Sequence, residues 1–236
     1  MNRVADFMTT LPPTDLRYER KFLPAGRSVA EVVALVRQHP ALFREAYPER
    51  PVNNLYFDTP NLRHYYDHVS GHARRVKVRL RWYGEFHGRI DNPRLEFKRR
   101  EGLLGGKTTH RLPPFTVNGG FDRAALAALW AGADLSEATR LRLCGVVPVL
   151  ANRYRRRYFV SADGQFRVTL DWALETYDAR ASAHAPRVLR LDEPSLILEL
   201  KYNAAHAGEA DRVASAFPFR LTRCSKYVLG IDRLAG

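Results

Sequence analysis

The segment VKVRLRW, residues 76–82, alternates an apolar residue with Lys or Arg along its whole length. Because successive side chains of a β-strand point to opposite faces, this pattern predicts a strand with one apolar face and one basic face. The basic face carries Lys77, Arg79 and Arg81. Confined like charges repel one another, so a surface built this way is expected to bind something strongly anionic.

Four other short segments repeat this alternation. Their charged or polar positions are Arg17, Glu19 and Lys21; Glu96 and Lys98; Arg167, Thr169 and Asp171; and Glu199 and Lys201. On the outside of a sandwich such faces would mix acidic and basic residues, whereas in a barrel covered by helices they would point inward. The basic bias favours the second arrangement. The sequence therefore predicts an α+β fold, a closed antiparallel β-barrel with a basic lumen, packed by peripheral helices.

The basic side chains expected in this lumen are Arg79, Arg81, Lys98, Arg156, Arg167 and Lys201. A phosphate chain is the natural occupant, because Arg pairs bidentately with phosphate oxygens and Lys supplies a compact point charge. The inward carboxylates Glu19, Glu96 and Glu199 would either pair with neighbouring cations or hold a divalent cation that bridges phosphate oxygens. Pairing is at least as well supported for each of them. Glu199 is the preferred metal ligand, with Glu19 second.

Composition sets the wider expectations. The 236 residues are 45% hydrophobic and carry a net charge of +13, which implies an acidic partner. We expect a flexible N-terminus over residues 1–14 and a single domain over residues 15–236. Two cysteines without metal-ligand spacing and the lack of an export signal predict a reduced, cytoplasmic setting. No apolar run approaches the roughly 20 residues of a membrane span, so any membrane contact would need a partner.

Local patterns place further elements. Ser28 and Glu31 form a capping box that starts a helix over residues 28–39. Other helices are predicted over 122–130, 135–143, 206–216 and 226–234, and strands over 16–22, 54–58, 74–83, 94–100, 107–112, 146–159, 166–175 and 194–202. The segments 84–93 and 179–186 are predicted to be a hairpin connection and a loop. His64, His68 and His72 have i, i+4, i+8 spacing, which would align them on a helix, but Gly71 and the strand nearby favour a solvated segment over a metal site.

An ordered series of motifs resembles the VTC-domain family of polyphosphate polymerases, within the CYTH or triphosphate-tunnel superfamily. The motifs are RYERKF at 17–22, LYFDTP at 55–60, KVRLRWYG at 77–84, LEFKRREG at 95–102, and then ANRYRRRYF, RVTLDWAL, LILELKY and SKYVLGID. The resemblance covers roughly residues 15 to 232. It implies that the chain transfers the terminal phosphate of ATP to a growing polyphosphate chain, with Mn²⁺ or Mg²⁺ as cofactor.

The resemblance also implies roles for particular residues. Phosphate binding along the tunnel falls to Lys21, Arg79, Arg81, Lys98, Arg156 and Arg167, with Tyr154 beside them. Glu199 matches the metal-binding Glu, and Ser225 with Lys226 matches a late phosphate-binding pair. Arg223 stands near the place of another basic residue. The expected partners are ATP and polyphosphate, a membrane partner stays open, and nucleic acid is not expected.

The first strand departs from the wider superfamily. Its triphosphatases carry E-x-E-x-K there, whereas this chain has Arg17 at the first acidic position, followed by Glu19 and Lys21. A cation in place of a carboxylate removes a metal ligand and adds phosphate affinity. The change favours holding a long anion over hydrolysis of a triphosphate. Triphosphate hydrolysis and a non-catalytic module that binds polyphosphate or RNA are the alternatives.

Overall fold

The computed structural model of the chain describes residues 17–102, 104–180, 188–190 and 196–235. The expectations for residues 1–14, for Leu16, for most of the 179–186 loop and for the start of the 194–202 strand lie outside these residues. The strands are β1 (Arg17–Phe22), β2 (Arg44–Asp58), β3 (Arg74–Tyr83), β4 (Gly88–Ile90), β5 (Arg94–Glu101), β6 (Leu104–Arg111), β7 (Phe115–Val117), β8 (Val147–Val160), β9 (Arg167–Asp178), β10 (Val188–Arg190), β11 (Ile197–Asn203) and β12 (Leu221–Thr222). The helices are α1 (Val29–Gln38), α2 (Arg63–Val69), α3 (Arg123–Ala131), α4 (Glu137–Cys144), α5 (Ala207–Ser215) and α6 (Lys226–Ala235).

The main sheet is antiparallel and closes on itself. Its strands follow the order β10-β9-β11-β1-β6-β5-β3-β2-β8, and β8 also pairs with β9, so the hydrogen bonding runs in a ring. A ring leaves few free strand edges, and each strand has one face inside it and one outside. The α+β class and the antiparallel sheet are confirmed.

Two hydrophobic cores lie on the outer face of the ring, where helices cover it. In the first, Val32 and Val36 of α1 and Val213 of α5 pack against apolar residues of β1, β9 and β11 such as Leu170 and Leu198. The Ser28–Glu31 capping box that starts α1 is present. Since Leu170 and Leu198 face this core, the charged residues that alternate with them face the interior of the ring.

The second core lies under α3 and α4. Leu80 and Trp82 of β3 are fully buried there, together with Leu95 of β5 and Leu126 of α3. The apolar face predicted from the 76–82 segment is therefore in a core. Asp122 caps α3 by accepting hydrogen bonds from the backbone N–H groups of the first helical turn.

Helix α6 packs against β8 through a third, smaller cluster that contains Tyr56, Leu150, Tyr227 and Ile231. Gly230 allows this close approach, because a Cβ atom at that position would lie 2.6 Å from Leu150 Cδ2. The contact holds the beginning of α6 beside the charged interior of the ring.

The local predictions had mixed outcomes. The predicted hairpin connection 84–93 joins β3 to β5, which pair antiparallel, and it also contains β4, which pairs with β7 in a separate two-stranded sheet. The start of strand β2 was predicted wrongly, because the strand begins at Arg44, ten residues before Asn54. The segment that carries His64 and His68 contains helix α2, which was not predicted, and none of the residues of this helix is buried. Within the described part of the chain, no helix is long and apolar enough to cross a membrane.

Candidate functional site

Strand register brings opposite charges together on the interior face. Lys21 of β1 lies opposite Glu199 of β11, and Glu19 lies opposite Lys201. Side chains directly opposite each other in an antiparallel pair have Cβ atoms about 4.5–5.5 Å apart, close enough for their ends to meet. Alternation along each strand and register between strands therefore assemble one charged cluster from residues far apart in sequence.

Glu199 lies at the centre of this cluster. Its carboxylate Oε2 is 2.7 Å from Lys201 Nζ and 3.5 Å from Arg156 Nη2, and its Oε1 is 3.3 Å from Lys21 Nζ and 3.5 Å from Lys226 Nζ. Burial alone would raise the pKa of Glu199, but the surrounding lysines and Arg156 hold it well below its usual value. Glu199 is therefore a carboxylate anion shared among several cations.

Lys21 joins Glu199 to the second candidate metal ligand. Its Nζ is also 3.4 Å from Glu19 Oε1, and it donates a hydrogen bond of 2.8 Å to the backbone carbonyl of Cys224. Glu19 Oε2 pairs with Lys98 Nζ at 2.5 Å. Burial would raise the pKa of Glu19, but Lys98 and Lys21 lower it below the ordinary range. Both carboxylates are thus ionised and share one lysine.

A second group of ion pairs surrounds Glu96, which is 2% exposed. Arg79 contacts its Oε2 through Nε at 2.8 Å and Nη2 at 2.7 Å, and Lys107 Nζ contacts its Oε1 at 2.9 Å. Arg81 Nη1 lies 3.7 Å away. Burial would raise the pKa of Glu96, but Arg81, Arg79 and Lys107 lower it strongly. These contacts hold Arg79 and Arg81 in fixed positions on the interior face.

A third group is formed by Arg156 and Asp171. Arg156 makes two parallel bonds to the Asp171 carboxylate, Nε to Oδ1 at 2.5 Å and Nη2 to Oδ2 at 2.6 Å. Lys226 Nζ reaches Asp171 Oδ2 at 2.5 Å. The ring of Tyr154 lies beneath both cations, with its centroid 5.3 Å from Arg156 Cζ and 4.8 Å from Lys226 Nζ. Helix α6 thereby delivers Lys226 to the interior face.

Lys77 differs from the other interior cations, because no described carboxylate lies within ion-pair distance of it. Its Nζ donates a hydrogen bond of 2.9 Å to Ser225 Oγ, just before α6. Burial and the nearby charges of Lys21 and Lys98 lower the pKa of Lys77 well below its usual value. Burial also lowers the pKa of Lys98. Lys98 is paired with Glu19, so Lys77 is the interior cation in this cluster that lacks an anionic partner among the described residues.

The structure brings most of the predicted site residues into this cluster. Those that contact one another or a shared partner in it are Glu19, Lys21, Arg79, Arg81, Lys98, Tyr154, Arg156, Glu199, Lys201, Ser225 and Lys226. Arg167 and Arg223 are instead exposed. Arg167 stands opposite Lys201 at the start of β9, and Arg223 precedes α6.

Among the charged residues of the interior face, Lys77, Lys107 and Asp171 were not predicted as site residues. The alternation of β3 and β9 already placed Lys77 and Asp171 on the charged faces, so the pattern contained them. Lys107 lies opposite Lys98 in the β5–β6 register, which only the pairing of the strands reveals. The ion pairs of Asp171 with Arg156 and Lys226 show that carboxylates fix the interior cations more widely than expected.

The donor set can be compared with the needs of a divalent cation. Within the described ranges, no three His, Cys, Asp or Glu side chains are grouped so that they could hold a metal ion. Mg²⁺, however, is commonly bound by one or two carboxylates together with waters and phosphate oxygens of the substrate. Glu199 and Glu19 are ionised oxygen donors joined by Lys21, and they fit a cation that arrives with a phosphate chain.

We expect the binding of inorganic triphosphate to be accompanied by proton uptake at Lys77, because an incoming phosphate raises the pKa that burial and the neighbouring lysines have lowered. Affinity should accordingly rise as the pH falls toward the pKa of Lys77 in the free protein. Calorimetric titrations in buffers of different ionisation enthalpy measure the uptake. Lys77→Met should reduce it, whereas equal uptake by the variant and the unmodified protein would show that Lys77 does not meet the anion.

Two solved structures resemble this protein in fold. A solved structure of a candidate adenylate cyclase from Vibrio parahaemolyticus is 14% identical and has a TM-score of 0.53, covering 91% of this chain and 98% of that chain. The PH1819 protein from Pyrococcus horikoshii OT3 is 13% identical with a TM-score of 0.50, covering 92% of this chain and 99% of that chain. At such identities the likeness concerns the fold alone.

The sequence itself was compared with protein families and with curated proteins. No curated protein matches the chain. The model of the VTC domain matches residues 16–235, which is nearly the whole sequence and includes every strand and helix described above. The chain therefore belongs to the VTC domain family, as its ordered motifs predict.

Proposed function

We propose that this protein is a polyphosphate polymerase, which transfers the terminal phosphate of ATP to a growing polyphosphate chain in a tunnel enclosed by the ring of strands. One observation carries the proposal, the convergence of Arg and Lys side chains from many strands on a shared interior surface where they outnumber the carboxylates. Membership of the VTC domain family supports it. In this proposal the functional unit is one domain over residues 15–236 that works in the cytoplasm, where ATP is available.

In the absence of substrate, the carboxylates of the interior face would bind the cations that phosphate oxygens contact when the substrate is present. Without an anion, Glu96 holds Arg79 and Asp171 holds Arg156 in defined positions. A phosphate chain offers more acceptor oxygens than these carboxylates and can take over part of the bonding of each cation. The side chains therefore need little rearrangement when the substrate enters, which lowers the entropic cost of ordering them.

Phosphoryl transfer needs positioning and charge stabilisation more than covalent help from the protein. Arg79 and Arg156 present planar forks that can bind oxygens of the transferring group, and Lys21 and Lys226 add point charges nearby. A phosphate chain held in line at this position would compete with water as the acceptor, which would favour polymer growth over hydrolysis.

Glu199 and Glu19 would hold the divalent cation together with phosphate oxygens. The cation would supply neutralisation of the charge on those oxygens during transfer. Lys21, which contacts both carboxylates, would keep the two ligands in position.

We expect Glu199→Gln to remove most metal-dependent turnover while triphosphate binding without metal stays equal or becomes tighter. The amide keeps the shape of the side chain but removes a negative charge that Lys201, Lys21 and Lys226 now share. Turnover and calorimetric affinity measured on the same preparation separate the two effects. Equal losses of binding and turnover would indicate that Glu199 only supports the structure.

The proposal is tested by incubating the protein with ATP and Mn²⁺ and following the products. We expect ADP and a polymer that stains for polyphosphate on a gel, with little free phosphate. Accumulation of free phosphate without polymer would identify a triphosphate hydrolase. Tight binding of polyphosphate with no ATP turnover would identify a non-catalytic binding module.

A further inference from the structure

An arginine held among three tyrosines lies outside the ion pairs described above. The Cζ atom of Arg50, on β2, is 4.2 Å from the ring centroid of Tyr83, 4.8 Å from that of Tyr158 and 5.8 Å from that of Tyr47. Arg50 Nε donates a hydrogen bond of 3.2 Å to the Tyr158 hydroxyl. No carboxylate among the described residues lies within ion-pair distance of Arg50. We call Tyr47, Arg50, Tyr83 and Tyr158 the Tyr–Arg cluster.

The Tyr–Arg cluster is continuous with the charged interior. Arg50 stands opposite Arg156 in the β2–β8 register, and the ring of Tyr158 lies 5.8 Å from Arg156 Cζ. Arg156 in turn lies 3.5 Å from Glu199. Tyr83 is the last residue of β3 and shares a face with Arg79 and Arg81. The cluster therefore lies at the Tyr83 end of β3, directly beside the charged interior of the ring.

The exposure of the cluster changes from inside to outside. Tyr158 and Tyr83 are partly buried, whereas Tyr47 is 60% exposed and packs edge-on against Tyr158, with 5.7 Å between the ring centroids. A phosphate chain needs cations and hydrogen-bond donors and gains nothing from aromatic rings. Planar ring faces beside a guanidinium instead suit a nucleobase, which stacks on both kinds of group.

We propose that the Tyr–Arg cluster binds the base of the nucleotide substrate, so that ATP enters with its phosphates first, past Tyr158 toward Arg156. This inference rests on the proposed function and adds the place and direction of nucleotide binding. The base would stack on Tyr47 at the surface, while the ribose and phosphates extend along Arg50 into the ring. Inorganic triphosphate lacks the base and would use the interior cations alone.

Tyr47→Ala tests this assignment, with Tyr66→Ala as a matched control. Tyr66 is 58% exposed and packs edge-on against Tyr65 at 5.1 Å, but it lies on α2 and no arginine among the described residues lies over its ring. The affinity of each variant for adenylyl imidodiphosphate and for inorganic triphosphate is measured by calorimetry. We expect Tyr47→Ala to weaken analogue binding at least about fivefold, the effect of losing one stacked base, and to leave triphosphate binding unchanged. Tyr66→Ala should alter neither affinity.

Three results would overturn the assignment. Equal weakening of both ligands by Tyr47→Ala would mean that the cluster contacts phosphate or supports the fold. No weakening of either would mean that the base docks elsewhere, and weakening by Tyr66→Ala alone would place the nucleotide at α2. Failure of the proposed function gives a different result. In that case the protein binds both ligands and Tyr47→Ala weakens analogue binding, but no polymer forms. The base site is then present without the polymerase activity.

Discussion

Arg79→Ala is expected to lower polyphosphate synthesis about 100- to 1000-fold, the usual effect of removing one oriented donor from a site where charge develops. Arg79 lies on the interior face, held by Glu96. The variant should still fold, because Glu96 keeps Lys107 and Arg81 as partners. ATP turnover per folded molecule, together with a thermal melt, measures both effects. Arg79→Lys, which keeps the charge but loses the planar fork, should retain an intermediate activity.

Arg155→Ala is the matched control for this prediction. Arg155 is also a strand arginine in an ion pair, but it is exposed and pairs with Glu49 at 2.5 Å on the outer side. Its loss should leave turnover within about twofold, since exposed ion pairs contribute little. Similar losses of activity in both variants would mean that turnover depends on the overall positive charge of the protein and not on the arginines of the interior face.

Leu80→Ala is expected to lower the free energy of unfolding by about 2–5 kcal/mol while turnover per folded molecule is largely kept. Leu80 is the neighbour of Arg79 on β3, but its side chain is fully buried in the core under α3 and α4. Truncation there leaves a cavity on the outer side of the ring, away from the charged cluster. Chemical denaturation gives the stability and the ATP assay gives the turnover.

Leu141→Ala provides the comparison for Leu80. Leu141 lies on α4 and is 59% exposed, so its truncation should change the stability by no more than about 0.5 kcal/mol. Stability unaffected by Leu80→Ala, combined with unfolding of Arg79→Ala, would mean that the faces of β3 are assigned in reverse.

The sequence predicted the strands whose faces differ most in polarity. Strand β3 begins and ends where the alternation predicts, and α1 follows its capping box. In these elements the local pattern and the burial of one face agree, so a short window is sufficient. Motif order added Ser225 and Lys226, which no alternation places on the interior face.

The missed elements lack such local features. Helix α2 follows Leu62, which has a left-handed φ of 57°, and its first N–H groups are capped from outside the usual N-cap position, by the side chains of Thr59 and Asp58. The first part of β2 contains Pro48 and has register shifts between Glu45 and Arg50, so its alternation is broken. These segments take their structure from the strands and helices that they contact.

Ion-pair partners could not be predicted for a different reason. Glu19 and Lys98 are 79 residues apart in sequence, and they meet because β1, β5 and β6 are neighbours in the closed ring. Alternation shows that each residue lies on a charged face, but only the order and register of strands decide which cation meets which carboxylate. The extensive pairing of Glu96 and Asp171 therefore became visible only in the structure.

A crystal structure with inorganic triphosphate and Mn²⁺ tests the central claim most directly, because anomalous scattering locates the metal and density locates the phosphates. We expect the phosphates on the interior face in contact with Lys21, Arg79 and Arg156, and Mn²⁺ beside Glu199. Triphosphate bound only to outer arginines such as Arg155, with the ion pairs of Glu96 and Asp171 unchanged inside the ring, would contradict the account.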